Sequence, residues 1–208
     1  MLLVDHPDGK VAVAQPSHAW VSGQLARAWG GDVQPREEVC LAAEQHDIPW
    51  IEWERDPSYD PQTGHPYTFM SLDMPTKLAM WETGPDALLA QSRYAALLVS
   101  MHGSRLYRDL GRGAIEAQIR ATLDASDEEI ERNHRLIWTW DSMSLALLLD
   151  WRPWTSDDGV RMEPDGRVTP WPFAPDSLTV RCEGRLLTEP GAPLAQAPWV
   201  DLTYELIQ

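Results

Sequence analysis

Five side chains suited to metal or acid–base chemistry sit where the hydrophobic pattern calls for apolar residues. They are His18, the adjacent pair His46-Asp47, His102 and Asp141, and each falls on the apolar stripe of a helix-like segment. A polar group buried without a partner costs several kcal/mol. An aspartate among Ile137, Leu145 and Leu148 therefore has to be paired. An Arg or His would satisfy Asp141 alone, whereas a cation satisfies all four segments at once. Imidazole nitrogen with carboxylate oxygen suits a divalent transition metal (Mn, Fe, Co, Ni or Zn), as one ion or two. Cys40 and Cys182 are the only cysteines and lack CxxC spacing, so a thiolate site is excluded.

The elements that must position these groups follow from spacing and punctuation. Val39, Ala42, Ala43 and His46 lie three or four apart, which predicts a helix from Pro35 to the His46-Asp47 pair, stopped by Pro49. A preceding helix is expected from Pro16, with Ser17 as N-cap, to Gly30-Gly31, with His18 on the stripe of Val21, Leu25 and Ala28. A third main helix is expected from near Pro85 to Met101 or His102, ended by Gly103, and a shorter one over 112–123. Ser126 with Glu129 forms a capping box that opens a helix to about Leu149, roughly 35 Å long at 1.5 Å per residue. Residues 49–84 read as a long loop rich in Pro, Gly and aromatics, either a pocket wall or an excursion packed on its own rings.

Residues 1–15 predict a hairpin around Asp8-Gly9. Thr179–Glu183 and Trp199–Ile207 alternate as half-buried strands and are expected to pair with it. The expected fold is mainly α: one domain over 1–208, with a helical bundle at 16–150 and a small antiparallel sheet from 1–15 and 151–208.

Composition narrows the partners. A net charge of −15 and a pI near 4.6 repel phosphate backbones, so no nucleic-acid partner is expected. No stretch approaches the roughly 20 apolar residues that span a bilayer, and the N-terminus lacks signal-peptide character. The expectation is a cytoplasmic protein with free thiols, no membrane association and a small-molecule substrate.

The order His … His-Asp … Asp on successive helices resembles the HD superfamily of metal-dependent phosphohydrolases. That resemblance covers residues 18 to 141. It implies an HD-domain-like bundle with His18, His46, Asp47 and Asp141 as metal ligands, and His102 as the further histidine of two-metal members. Ile48, Pro49 and Trp50 follow the pair where HD enzymes commonly carry an apolar residue, Gly and Lys, so the phosphate contact of that Lys is missing. No Gly-Tyr-Pro follows, which leaves the cyclic-dinucleotide branch unsupported. The wider pattern is similar to a small family known as a domain of unknown function, DUF3891. The stretches that carry this are His46-Asp47 with its Trp, Thr63-Gly-His-Pro-Tyr-Thr-Phe69, Leu98-Val-Ser-Met-His-Gly103 and Asp141-Ser-Met-Ser-Leu145.

The first resemblance implies hydrolysis of a small phosphoester, such as a nucleotide, by water activated at the metal. Asp47 is the expected catalytic group, orienting that water. His65 and Arg105 are the expected phosphate contacts and Trp50 an expected substrate contact. His134, on the same stripe ahead of Asp141, and His65 are further candidate ligands. Two other readings use the same residues. One is an HD-fold di-iron oxygenase with an aromatic loop closing over the substrate. The other is a non-catalytic module that binds a ligand or protein and holds a structural metal.

Overall fold

Alternating residues at both ends of the chain build one sheet, and the helices between them carry the site. The computed structural model describes residues 1–208. Strands β1 (Leu2–His6) and β2 (Gly9–Val13) form the expected hairpin, turning at Pro7-Asp8. Strand β6 (Ser177–Leu187) adds to β2, and β7 (Trp199–Ile207) adds to β6 in the register Cys182↔Leu202. The order β1-β2-β6-β7 leaves β7 at an edge. A second antiparallel sheet joins the short strands β3 (Trp154–Thr155), β4 (Arg161–Met162) and β5 (Val168–Thr169).

This corrects the expected fold class. At 46 % helix and 20 % strand the chain is mixed α and β, not mainly α. The strands of the second sheet have two residues each, too few to show any period. Strand β6 also runs beyond the alternating segment that signals it.

The helices are α1 (Gln15–Ala28), α2 (Arg36–Gln45), α3 (Ile51–Arg55), α4 (Met74–Thr83), α5 (Arg93–Leu106), α6 (Gly113–Arg120) and α7 (Asp127–Leu148). The Ser126/Glu129 capping box opens α7 as expected. Four local expectations fail. The N-cap of α1 is Ala14, and Ser17 lies inside the helix with its hydroxyl on the Glu183 carbonyl at 2.8 Å. The 49–84 segment is not a loop throughout, since it contains α3 and α4 and buries Trp50 and Trp81. Pro85 lies in the first turn of a 3-10 helix over Gly84–Ala90, and α5 starts only after the Ser92 N-cap. Gly103 does not end α5; it lies within it, where a Cβ would stand 2.3 Å from Trp81 Cε3.

Helix α1 packs against α2, α7 and strand β6. A Cβ on Gly23 would fall 2.7 Å from Glu44 Cβ, so the glycine lets α1 and α2 approach closely. The Gln24 side chain behaves like a short piece of strand. It donates to the Arg181 carbonyl at 2.8 Å and accepts from the Arg181 N–H at 3.1 Å, tying α1 to β6. One buried apolar cluster contains Val21, Ala43 and Ile137 from the helices and Val11, Val180 and Leu206 from the strands. No helix is long and apolar enough to cross a membrane.

Candidate metal centre

Four helices deliver the site. His18 sits in the first turn of α1, His102 near the end of α5 and Asp141 in the middle of α7. The pair depends on where α2 stops. Neighbouring residues within a helix point about 100° apart. Here Gln45 is the last helical residue, His46 caps it, and Asp47 leaves the helical path at φ −105°, ψ 20°. Both side chains can then turn to one point. Glu54 on α3 fixes the start of α1: its carboxylate accepts the Gln15 N–H at 2.8 and 3.1 Å and also pairs with the Met1 amine. A side chain from 39 residues away thus caps the turn that carries His18.

The five groups are buried together. His18 Nε2 lies 3.1 Å from His46 Nε2, 3.3 Å from Asp47 Oδ2 and 3.2 Å from Asp141 Oδ1. His46 Nε2 lies 3.3 Å from Asp141 Oδ1 and 3.6 Å from Asp47 Oδ2. His102 Nε2 is 3.6 Å from the other Asp141 oxygen.

Hydrogen bonds on the far side of the rings fix what these atoms are. His46 Nδ1 is 2.8 Å from the Ala43 carbonyl, which only accepts, so Nδ1 carries the hydrogen. The Ser144 hydroxyl donates to the Asp141 carbonyl at 2.9 Å and so accepts from His18 Nδ1 at 2.6 Å. Ser22 supports Ser144 through a 3.0 Å hydroxyl contact. With the hydrogens assigned by this network, neutral His18 and His46 present bare Nε2 lone pairs to each other and to two carboxylates. In that neutral form four acceptors converge without a donor, and added positive charge, as a proton or as a metal ion, satisfies them. Bonds of 2.0–2.1 Å to a common ion place neighbouring ligand atoms about 3.0–3.4 Å apart, close to the separations observed.

The protonation balance records the same demand for positive charge. Burial opposes charging His46, but ionised Asp47 and Asp141 outweigh it and push its pKa up to about 9. His18 is raised for the same reason, against burial, by its bonds to Asp141 and Asp47. Burial would raise both carboxylates; the imidazoles hold Asp47 below and Asp141 well below the usual range. His102 behaves differently: burial pushes it down to about 3, and its Nδ1 has no partner.

Two sets of ligand atoms could each hold an ion: His18, His46 and Asp47, and His46, His102 and Asp141. They share one imidazole nitrogen, which cannot serve two ions. A cavity of about 60 Å³ opens beside them, walled by Gln15, Trp50, Phe69, Leu106, Tyr107 and Leu145 along with His18, Asp47, His102 and Asp141.

The structure thus brings together His18, His46, Asp47, His102 and Asp141, and puts Trp50 on the cavity wall. It places His65 and Arg105 elsewhere. His65 belongs to a turn in which its carbonyl accepts from Asp60 N–H, and it is not part of the cavity wall. Arg105 lies 3.9 Å over the Trp138 ring and 3.8 Å from Asp157. Trp138 in turn stacks on His102 at 5.6 Å, so Arg105 is one ring removed from the centre. His134 is buried outside the ligand sets with an unpartnered Nε2. Gln15, Tyr107 and Ser144 went unmarked as site residues in the sequence. Ser144 shares the helical face of Asp141, three residues on, which was the one available signal.

The family described as "protein of unknown function (DUF3891)" matches residues 1–189. The chain belongs to this family. No curated protein and no solved structure matches this DUF3891 chain.

Proposed function

We propose that this DUF3891 protein is a metal-dependent hydrolase that holds one divalent transition-metal ion between α1, α2 and α7, in the manner of the HD superfamily it resembles. The supporting observation is the convergence of two imidazole nitrogens and two carboxylates on one point, with no Lys or Arg among their partners. Nδ1 anchors orient two of the rings, as ligating histidines require. A single ion is favoured because His46 is common to both ligand sets and His102 lacks such an anchor.

His18, His46, Asp47 and Asp141 would hold the ion. A bound divalent ion supplies Lewis acidity, making a nearby water acidic near neutral pH. Asp47 stands on the cavity wall and stays ionised, so it can orient that water and take its proton. Trp50 and Phe69 exclude bulk solvent from the cavity. A small phosphoester is the substrate class that the resemblance implies.

The test has two parts. Metal analysis of purified protein is expected to give about one equivalent of Mn, Fe, Co, Ni or Zn. A panel of nucleotides, sugar phosphates and carboxylic amides, assayed with each metal, is expected to show turnover that chelator abolishes. Bound metal with no turnover of any panel member overturns the hydrolase reading and leaves a structural ion.

A further inference from the structure

The cavity beside the centre contains a polar group for which water activation has no use. Gln15 opens α1 three residues before His18 and so shares its face. It is 4 % exposed, its backbone N–H is taken by Glu54, and its side-chain Oε1 has no partner. The side-chain Nε2 bonds no protein group either, so the point holds whichever way the amide is turned. Leaving such a group unpaired is destabilising, and a ligand with a matching edge removes that cost. Tyr107 lines the same wall, and its hydroxyl, unlike the Gln15 oxygen, is not a buried orphan and is free to meet a ligand.

The rest of the wall decides the charge of that ligand. Trp50, Phe69, Leu106 and Leu145 are apolar, and no Lys or Arg lines the cavity. Asp47 and Asp141 already balance the charge of one divalent ion, so a phosphate dianion there would bring two further negative charges with no Lys or Arg to offset them. Arg105 is held on Trp138 and Asp157. A neutral carboxamide avoids that repulsion: its N–H meets the Gln15 oxygen and its carbonyl meets the Gln15 N–H. A volume of about 60 Å³ admits a group of only a few heavy atoms.

We propose that the centre acts on a small neutral amide or ureide whose donor–acceptor edge is read by the Gln15 side chain and the Tyr107 hydroxyl, rather than on a phosphoester. This rests on the metal-dependent hydrolase reading. In the reaction, water oxygen bonds to the carbonyl carbon, the C–N bond breaks, and a water proton leaves with the nitrogen as ammonia or amine.

The test titrates the full-length metal-loaded protein with acetamide and with inorganic phosphate, followed by NMR, in parallel with Gln15→Ala and Tyr107→Phe. Metal content and melting temperature are measured for each protein. Acetamide is expected to bind the wild type in preference to phosphate, and Gln15→Ala to weaken it by about tenfold with metal content unchanged. Phosphate binding more tightly than acetamide, or equal acetamide affinity in Gln15→Ala, overturns the proposal. Should Gln15→Ala lose metal or fold, Tyr107→Phe decides by the same comparison. A wild type that retains no metal sinks the hydrolase reading instead, and acetamide titration of that metal-free protein still decides whether Gln15 reads an amide.

Discussion

Asp141 contacts three imidazoles from three other segments, so its charge organises the centre. Asp141→Ala is expected to destabilise the metal-free protein by about 3–5 kcal/mol, the cost of breaking a buried pair, and to abolish stoichiometric metal binding. Denaturant melts and metal analysis check both. With His46 raised from 6.5 to about 9, its pairing stabilises the metal-free fold fully below pH 6.5, and this is lost as pH rises through 9. Metal has to displace that proton, so apparent affinity is expected to climb across the same window, with proton release visible by calorimetry in different buffers. His134 has the opposite sign: burial lowers it from 6.5 to about 4, so the fold loses stability as pH falls from 6.5 through 4. His134→Phe is expected to flatten that acid limb of a Tm–pH curve. The acids and imidazoles of the centre were legible in the sequence because a titratable group on an apolar stripe demands a partner. Gln15 and Tyr107 were not, because a neutral amide or phenol breaks no pattern.

At the scale of elements, two contacts decide the placement of ligands. Gly103 lets the Trp81 ring approach α5 closely beside His102. Gly103→Ala is expected to cost about 1–3 kcal/mol and to lower metal occupancy by pushing the Trp81–His102 contact apart, read by chemical denaturation and metal analysis. In sequence this glycine read as a helix stop. What keeps it is a ring from a different helix, which local spacing cannot reveal. The start of α1 was misplaced for the same reason. Ser17 looked like the cap, but the N–H of Gln15 goes to Glu54, which comes after the His46-Asp47 pair. Glu54→Ala is therefore expected to lower both melting temperature and metal affinity, since His18 lies in the turn it releases. The capping box of α7 was legible because all its parts lie within four residues.

Across the whole molecule, a metal bound at the centre would link α1, α2 and α7 through one ion. An ion at a hundred times its Kd is expected to add about 2.7 kcal/mol of stability, seen as a Tm that falls when chelator is added. The larger sheet was legible from the alternation at each chain end, while the second was hidden in a Pro- and Gly-rich stretch, and the mixed class followed from both. Strand β7 lies beyond the span matched by the family, and its outer edge is open only ahead of Glu205, because the Ile207 N–H bonds the Gly166 carbonyl. The exposed side chains along that open stretch are Trp199, Asp201 and Thr203. If two such strands met head to tail about Asp201, the two Asp201 carboxylates would face each other, and like charges directly across a ladder repel. This acid therefore guards a sticky border: exchanging it for threonine should turn a well-behaved solution into one that self-associates with concentration, as sedimentation would record.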